Sequence, residues 1–290
     1  MTRILVATDF SSRSDRALRR AMLLAAHSKA ALTLVHVVDD DQPAHLVDRQ
    51  QATARELLED TARSIDSVDK VRADTVVATG DPFEGILRVA DEIDPDLIVV
   101  GPHRRQLLDI FVGTTAERTI RRSRHPILMA NSVPAGSYER TLLAIAFDDA
   151  SVAAAQAATR MKFLKGSAVT AIHLFDAPAA GLMKRAMEGS DAIDHYVRQE
   201  KISAHADFDS FLSAAGLIGV ERLVRPHGGS PAAGLLSHAD ELRADLVVLG
   251  TNQRSGLERA FLGSVAQDVL RDAKCDTLVV PPAGSAPTTQ

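Results

Sequence analysis

The 290-residue sequence contains one cysteine, no tryptophan and only 4% aromatic residues. A single cysteine excludes a disulfide framework within the chain, as is typical of proteins in a reducing compartment. The few aromatic side chains argue against a base-stacking surface, and the formal net charge of −5 is the opposite of the basic surplus that nucleic-acid-binding domains usually carry. We therefore expect no nucleic-acid partner.

Long apolar runs are lacking too. No stretch approaches the ~18 consecutive apolar residues of a membrane span. The first residues, Met1–Asp9, form too short an apolar run for a signal peptide and have no cleavage-site pattern. We therefore expect a cytoplasmic protein without a membrane partner. The length fits two domains of roughly 100–200 residues each, and residues 283–290 are expected to form a loose tail.

The sequence contains the same unit twice, because several blocks recur in the same order. Asp96–Gly101 recurs as Asp245–Gly250, Gly80–Pro82 recurs as Gly229–Pro231, and Leu34–Val37 resembles Ala171–Leu174. The offset is 149 residues between Gly101 and Gly250 but 137 between His36 and His173. The second copy therefore carries 12 additional residues between its second and third strands. We predict them in its second helix, within Ala179–Ala215, a stretch that forms either one long helix or two shorter ones.

Each copy alternates short β-rich runs with helical patterns, which is typical of a parallel sheet with crossover helices. The runs are apolar nearly throughout, as in strands covered on both faces. We predict two tandem flavodoxin- or Rossmann-like α/β domains, each a five-stranded parallel sheet with helices on both faces. Their predicted bounds are residues 1–132 and 139–282, with a linker over Asn131–Tyr138, a helix at Pro82–Ile93 and a strand at Leu246–Gly250.

Ligands of open α/β sheets bind outside the carboxyl ends of the strands, so the residues that follow each strand are candidates for a site. Asp9 follows the first strand, and its carboxylate can accept hydrogen bonds from an adenine amino group or a ribose hydroxyl. The competing interpretation is a helix N-cap formed with Ser11 or Ser12, which physical reasoning alone favours.

A second group of candidates follows the fourth strand. Gly101 lets the backbone approach a ligand closely, and Gly113, Thr114 and Thr115 open a helix whose amides form an anion site. The competing interpretation is a plain turn with a capping box of Thr114 and Glu117. The second copy repeats the pattern at Gly250 and at Gly263-Ser264, which strengthens the binding hypothesis.

These motifs resemble the tandem form of the universal stress protein family over almost the whole chain. Family members that bind ATP carry Gly, two residues, Gly, nine residues and then Gly-Ser or Gly-Thr, with an Asp at the end of the first strand. The first copy departs from this pattern at Arg104, in place of the second Gly, and has a spacer of eight residues. The second copy keeps nine spacer residues but has Gln253 at that Gly and Ala146 at the Asp.

The resemblance implies binding of ATP or a related nucleotide, with Mg²⁺, mainly in the first copy, with slow hydrolysis at most. Arg104 either contacts phosphate in place of the lost glycine or fills the phosphate space. The alternatives are a nucleotide-independent scaffold or carrier of a small apolar ligand and, ranked last, an enzyme. The implied contacts are Asp9, Val37, Val100, Gly101, Arg104, Gly113, Thr114 and Thr115 in the first copy, and Leu174, Leu249, Gly250, Gly263 and Ser264 in the second.

Two further expectations concern assembly and isolated side chains. Single-domain family members dimerise through the last strand, which implies an intrachain pseudo-dimer of Pro126–Ala130 with Thr277–Val280 and allows a further homodimer. His36 and His173 stand at equivalent strand ends, and hydrogen-bonded structural roles are expected for both rather than metal ligation. Cys275 is interpreted as an incidental thiol rather than a nucleophile.

Overall fold

The computed structural model describes residues 1–102, 114–176, 190–227, 229–251 and 262–282. The first half alternates strands and helices along these residues. They are β1 Arg3–Ala7, α1 Ser12–Ser28, β2 Ala31–Val38, α2 Ala44–Asp69, β3 Ala73–Thr79, α3 Pro82–Ile93, β4 Leu97–Val100, α4 Thr115–Arg122 and β5 Ile127–Met129.

The second half repeats the same succession. Its elements are β6 Arg140–Ile145, α5 Asp149–Arg160, β7 Ala168–Asp176, α6 Ser190–Ala215, β8 Glu221–His227, α7 Pro231–Glu241, β9 Leu246–Gly250, α8 Ser264–Asp272 and β10 Asp276–Val280. Residues with a high preference for helix N-caps begin several helices of both halves: Ser11 for α1, Asp81 for α3, Thr114 for α4 and Asp148 for α5.

The described strands form one ten-stranded sheet in the order β3-β2-β1-β4-β5-β10-β9-β6-β7-β8. Pairing is parallel within each half, as in β1 with β2 and β4. It is antiparallel only where β5 meets β10, with Leu128 opposite Leu278. The predicted fold of two five-stranded parallel sheets is therefore confirmed, and β5 pairs with β10 as the intrachain pseudo-dimer requires.

The two faces of the sheet bury separate layers of apolar side chains. Ile4 and Val6 of β1 pack with residues of α1 and α2, whereas Leu5 points to the opposite face and packs with residues of α3 and α4. Each layer continues through β5 and β10 into the second half, because Leu128 and Leu278 lie in the first layer. The two halves therefore share a continuous core on both faces.

The additional residues of the second copy lie mostly between β7 and α6. Helices α2 and α6 each contain 26 residues, so α6 itself is not lengthened. Thirteen residues, 177–189, separate β7 from α6, whereas five residues, 39–43, separate β2 from α2. Residues 177–189 lie outside the described residues. None of the helices that the structure describes is long and apolar enough to cross a membrane.

The linker is anchored to both halves by a buried carboxylate, which sequence analysis did not identify. Asp276 Oδ1 accepts hydrogen bonds from the Ser132 amide at 2.9 Å and the Ser132 hydroxyl at 2.7 Å. Asp276 Oδ2 accepts from Arg20 Nε and from the Tyr138 hydroxyl, both at 2.8 Å. We call these four residues the Asp276 network. It joins α1, the linker and β10.

Burial, followed by the charge of Asp276, raises the pKa of the Tyr138 hydroxyl well above its usual value. The hydroxyl therefore stays protonated and donates its hydrogen bond to Asp276 throughout the physiological pH range. Arg20 Nη1 also donates a hydrogen bond to the Gly136 carbonyl oxygen at 2.7 Å. The guanidinium carbon of Arg20 lies 4.4 Å from the centroid of the Tyr138 ring. The segment 131–138, predicted as a plain linker, is thus fixed along α1.

Candidate functional site

The turn between β1 and α1 brings Asp9 to the carboxyl edge of the sheet. Phe10 adopts a positive φ of 59°, and Ser11 is the N-cap of α1. Asp9 Oδ1 accepts a hydrogen bond from the Ser11 amide at 3.0 Å. The N-cap interpretation therefore holds for Ser11, whereas Asp9 supports the turn that precedes the cap and remains solvent-exposed.

The Asp9 carboxyl is held in its ionised form. Burial by itself raises its pKa, but hydrogen bonds from the Ser11 and Ser14 hydroxyls and the Ser11 amide, with the nearby charge of Arg13, more than offset this. The pKa therefore lies below its usual value. At neutral pH the carboxylate acts only as an acceptor, as recognition of an amino group or a hydroxyl requires.

Cavity 1, with a volume of about 420 Å³, opens beside Asp9. It is lined by residues of β1, β2, β4, α1 and the first turn of α4, among them Asp9, Val37, Val100, Gly101, Thr114 and Thr115. The cavity lies at the carboxyl ends of β1 and β4, where the strand order reverses and open α/β sheets bind ligands. The structure thus brings together six residues that the sequence selected. Arg104 and Gly113 lie outside the described residues.

Gly101 is required by the approach of α1 to the end of β4. A Cβ atom at this position would lie 2.9 Å from the Arg13 carbonyl oxygen and 3.1 Å from the Ser14 amide nitrogen. Gly250 has the same relation to α5, since its Cβ atom would lie 2.2 Å from the Ala150 carbonyl oxygen. Sequence analysis explained these glycines by ligand approach, but the contact with the helix backbone already accounts for both.

The first turn of α4 lines cavity 1 with Thr114, Thr115 and Ala116. Thr114 is the N-cap, and its hydroxyl accepts a hydrogen bond from the Glu117 amide at 3.2 Å. A capping box consists of two hydrogen bonds, and this is the one that the Thr114 hydroxyl accepts. The exposed Thr115 follows at the first helical position. Amides at a helix N-terminus favour an anion, and the Thr115 hydroxyl adds a donor.

Cavity 2, of about 380 Å³, is the equivalent space in the second half. It is lined, among others, by Leu174, Leu249, Gly250, Gly263 and Ser264, the five residues that the sequence selected there. Two lining positions differ from the first half, because Ala146 and Val265 replace Asp9 and Thr115. Ala150, at the start of α5, is the equivalent of Arg13 by the repeat offset of 137 residues. The Asp9 carboxylate and the Thr115 hydroxyl therefore have no counterparts at the equivalent positions of cavity 2, although Asp148 also lines it.

Asp148 does not take the place of Asp9 in cavity 2. It is the N-cap of α5, and its Oδ1 accepts from the Ser151 amide at 2.8 Å and from the Ser151 hydroxyl at 2.6 Å. The Ser151 hydroxyl in turn accepts from the Ala146 amide at 3.0 Å, as Ser14 does from Asp9. The backbone of the turn is thus conserved between the halves, while the base-side carboxylate is replaced.

His36 and His173 have matching hydrogen bonds, as predicted for structural histidines. The Nδ1 atom of His36 is 2.8 Å from the Thr8 carbonyl oxygen, and that of His173 is 2.9 Å from the Ile145 carbonyl oxygen. Each ring also contacts the phenylalanine of the neighbouring turn, with centroid distances of 4.5 Å and 4.3 Å. Both imidazoles therefore tie a β2-type strand to the turn beside the cavity.

The surroundings of Cys275 lower the reactivity of its thiol. Burial, and after it the neighbouring Asp276 carboxylate, raises the pKa of the Cys275 thiol to about 12. At pH 8 its thiolate fraction is then roughly a thousandfold below that of an ordinary cysteine. We expect labelling by a thiol-disulfide reagent at pH 8 to be slower by this factor in the folded chain than in urea. Equal rates in both conditions would contradict the burial of this thiol.

The fold and the paired cavities define a tandem α/β protein with one ligand-sized cavity at the carboxyl edge of each half-sheet. The model of the universal stress protein family matches residues 1–131 and again residues 137–281. The chain therefore belongs to the universal stress protein family and carries two copies of its domain.

Curated relatives share short segments with this chain. A universal stress protein of Methanocaldococcus jannaschii is 48% identical over 52 residues, which cover 18% of this chain and 31% of that protein. Universal stress protein E of Photorhabdus laumondii is 39% identical over 64 residues, covering 22% of this chain and 20% of that protein. The chain thus spans about a third or less of the length of these relatives.

Solved structures match almost the whole chain. A universal stress protein from Archaeoglobus fulgidus has a TM-score of 0.70 at 20% identity, covering 97% of this chain and 98% of that chain. A functionally unknown protein from Pseudomonas aeruginosa has a TM-score of 0.72 at 19% identity, covering 97% and 93%. These similarities establish the tandem fold.

Proposed function

We propose that the chain is a cytoplasmic stress-response protein that binds ATP or a related nucleotide in cavity 1. The observation that supports this most strongly is the pairing, within one cavity, of an ionised carboxylate with an anion-favouring helix N-terminus. In this proposal Asp9 supplies the acceptor for a base or ribose, and the start of α4 at Thr115 and Ala116, which lines the same cavity, supplies amides for phosphate. Val37 and Val100 provide the apolar wall that a purine needs.

The chemistry proposed for this site is binding with slow hydrolysis at most. The Asp9 carboxylate already accepts from the Ser11 amide, and the His36 Nδ1 atom is bonded to the Thr8 carbonyl. Neither is paired with a second group that would activate a water molecule. Mg²⁺, where it accompanies the nucleotide, would be held mainly by the phosphates, with Asp9 as the nearest carboxylate in the cavity.

Asp9→Ala is expected to weaken ATP binding by about tenfold or more, because a hydrogen bond to a charged group contributes roughly 1.5–3 kcal/mol. Isothermal titration calorimetry measures this affinity. Asp15→Ala is the matched control, since Asp15 lies six residues later, in the first turn of α1, but pairs with Arg19 at 2.8 Å, outside the cavity. The control should bind ATP within about twofold of the unchanged protein.

Native mass spectrometry of the purified chain tests the proposal independently, by detecting a co-purified nucleotide and the number of chains per particle. No bound nucleotide, together with no heat from ATP at millimolar concentration, would contradict the proposed function. The number of chains per particle also tests the proposed homodimer.

A second candidate function concerns cavity 2. Ala146 and Val265 stand where cavity 1 has a carboxylate and a hydroxyl, which favours a small, mainly apolar ligand over a nucleotide. This candidate makes the chain a carrier of such a ligand, independent of nucleotide. In native mass spectra it predicts an organic ligand that is retained by Asp9→Ala. Retention of a nucleotide by that variant would instead argue that the nucleotide occupies cavity 2.

A further inference from the structure

Arg13 lines cavity 1 and lies beside the end of β4. It is the second residue of α1. Its carbonyl oxygen lies against Gly101, at 2.9 Å from the position of a Cβ atom. This places Arg13 beside the reversal of the strand order and next to the amide-rich start of α4, which also lines cavity 1. Sequence analysis did not select it, because it falls between the capping residue and Ser14.

Arg13 differs from the other arginines of α1, because each of those has a hydrogen-bond or ion-pair partner. Arg16 donates to the Asn131 carbonyl at 2.9 Å, Arg19 pairs with Asp15 at 2.8 Å, and Arg20 pairs with Asp276 at 2.8 Å. No ion pair or hydrogen bond joins the Arg13 guanidinium to another side chain within the part of the chain that the structure describes. The only electrostatic effect of Arg13 resolved there is on the neighbouring Asp9.

The position of this charge is only partly compensated in the ligand-free protein, by the nearby Asp9 carboxylate. The amides in the first turn of a helix carry partial positive charge, so a cation there is repelled, whereas an anion is attracted. The side chain is also partly buried. A bound anion would remove both penalties at once. In the second half the equivalent residue is Ala150, although the backbone contact with the strand end is the same.

We propose that Arg13 is the residue that recognises the phosphate charge of the ligand in cavity 1, and that its replacement by Ala150 restricts polyphosphate binding to one site per chain. The proposal rests on the proposed function. It identifies the ligand class of cavity 1 as a nucleoside polyphosphate rather than a nucleoside or an apolar molecule.

The experiment compares the affinities of ATP, AMP and adenosine for the full chain and for Arg13→Ala. A charge-assisted hydrogen bond predicts that Arg13→Ala weakens ATP binding by about 10- to 100-fold, weakens AMP less and changes adenosine by less than about twofold. Arg13→Lys should recover part of the ATP affinity. Arg16→Ala removes the same charge one turn further along α1, outside cavity 1, and should change ATP affinity by less than about twofold.

The thermal stability of Arg13→Ala distinguishes a role of Arg13 in ligand recognition from a role in holding the fold. Arg13→Ala should change the unfolding temperature of the ligand-free chain little, because the removal of an unfavourable charge from the helix start is offset by the loss of its attraction to Asp9. An equal loss of affinity for all three ligands, a clear fall in the unfolding temperature, or two ATP molecules per chain would each overturn the proposal. If the unchanged protein binds none of the three, the proposed function itself fails. If it binds ATP and Arg13→Ala binds it equally well, only the role of Arg13 fails.

Discussion

Asp276→Ala is expected to lower the free energy of unfolding by about 3–5 kcal/mol, because breaking a buried ion pair leaves its partner charged and without compensation. Asp276 and Arg20 are both almost completely buried, with side-chain exposures of 0% and 4%. The substitution also removes the acceptor of the Ser132 amide and of the Tyr138 hydroxyl. Urea denaturation followed by circular dichroism measures the change.

Two controls define what the measurement means. Asp272→Ala, four residues before Asp276, removes an exposed carboxylate that pairs with the adjacent Arg271, and it should cost less than about 1 kcal/mol. Replacing Arg20 by Met and Asp276 by Leu together removes both buried charges. This pair should be less destabilising than the sum of the single replacements. A loss for Asp276→Ala no larger than that for Asp272→Ala would show that the Asp276 network does not hold the two halves together.

The Asp276 network also makes the contact between the halves asymmetric. Antiparallel pairing places Leu128 opposite Leu278, so Pro126 is the equivalent of Asp276 in the first half. Ala157 is correspondingly the equivalent of Arg20, from the repeat offset of 137 residues. The pair therefore exists on one side of the pseudo-twofold axis only. It orients the linker along α1, which a symmetric pair of strands would not do by itself.

The sequence predicts local elements well where the local signals agree. Helix Pro82–Ile93 has the bounds that were predicted, because Asp81 caps it and Pro82 stands at its first position. Strand Leu246–Gly250 also has its predicted bounds, since an apolar run ends there at a glycine. The Asp276 network could not be found in this way. Arg20 and Asp276 are 256 residues apart, and neither stands in a recognisable motif.

The candidate site also combines residues that the sequence predicts with residues that only the structure identifies. The repeat offsets and the resemblance selected six residues that line cavity 1 together, from Asp9 to Thr115. Gly101 has a structural reason that the sequence did not indicate, because the approach of α1 requires the missing side chain, while its role in ligand approach stays a prediction. Arg13 was missed, since its significance depends on the absence of a partner among the described residues. That property of a charge becomes visible only in three dimensions.

Gly250→Ala is expected to destabilise the chain by about 3 kcal/mol or more, at the upper end for overpacking. The added Cβ atom would lie 2.2 Å from the Ala150 carbonyl oxygen and 2.5 Å from its carbon. Both are backbone atoms, so a change of rotamer gives no relief. β9 is paired on both sides, with β10 and β6, so the strand has little freedom to move away. The first turn of α5 must therefore shift.

Three glycine-to-alanine variants compare the loss of stability at positions where the added Cβ atom meets the backbone more or less closely. Gly101→Ala has a milder conflict, at 2.9 Å from the Arg13 carbonyl oxygen, and should be less destabilising than Gly250→Ala. Gly229→Ala is the matched control in the same half, because its Cβ atom meets nothing within 4 Å. The expected order of urea midpoints is thus Gly229→Ala, then Gly101→Ala, then Gly250→Ala as the lowest. A Gly250→Ala midpoint equal to that of Gly229→Ala would show that α5 moves freely over the strand end. The glycine would then have to be explained by the ligand in cavity 2 rather than by helix packing.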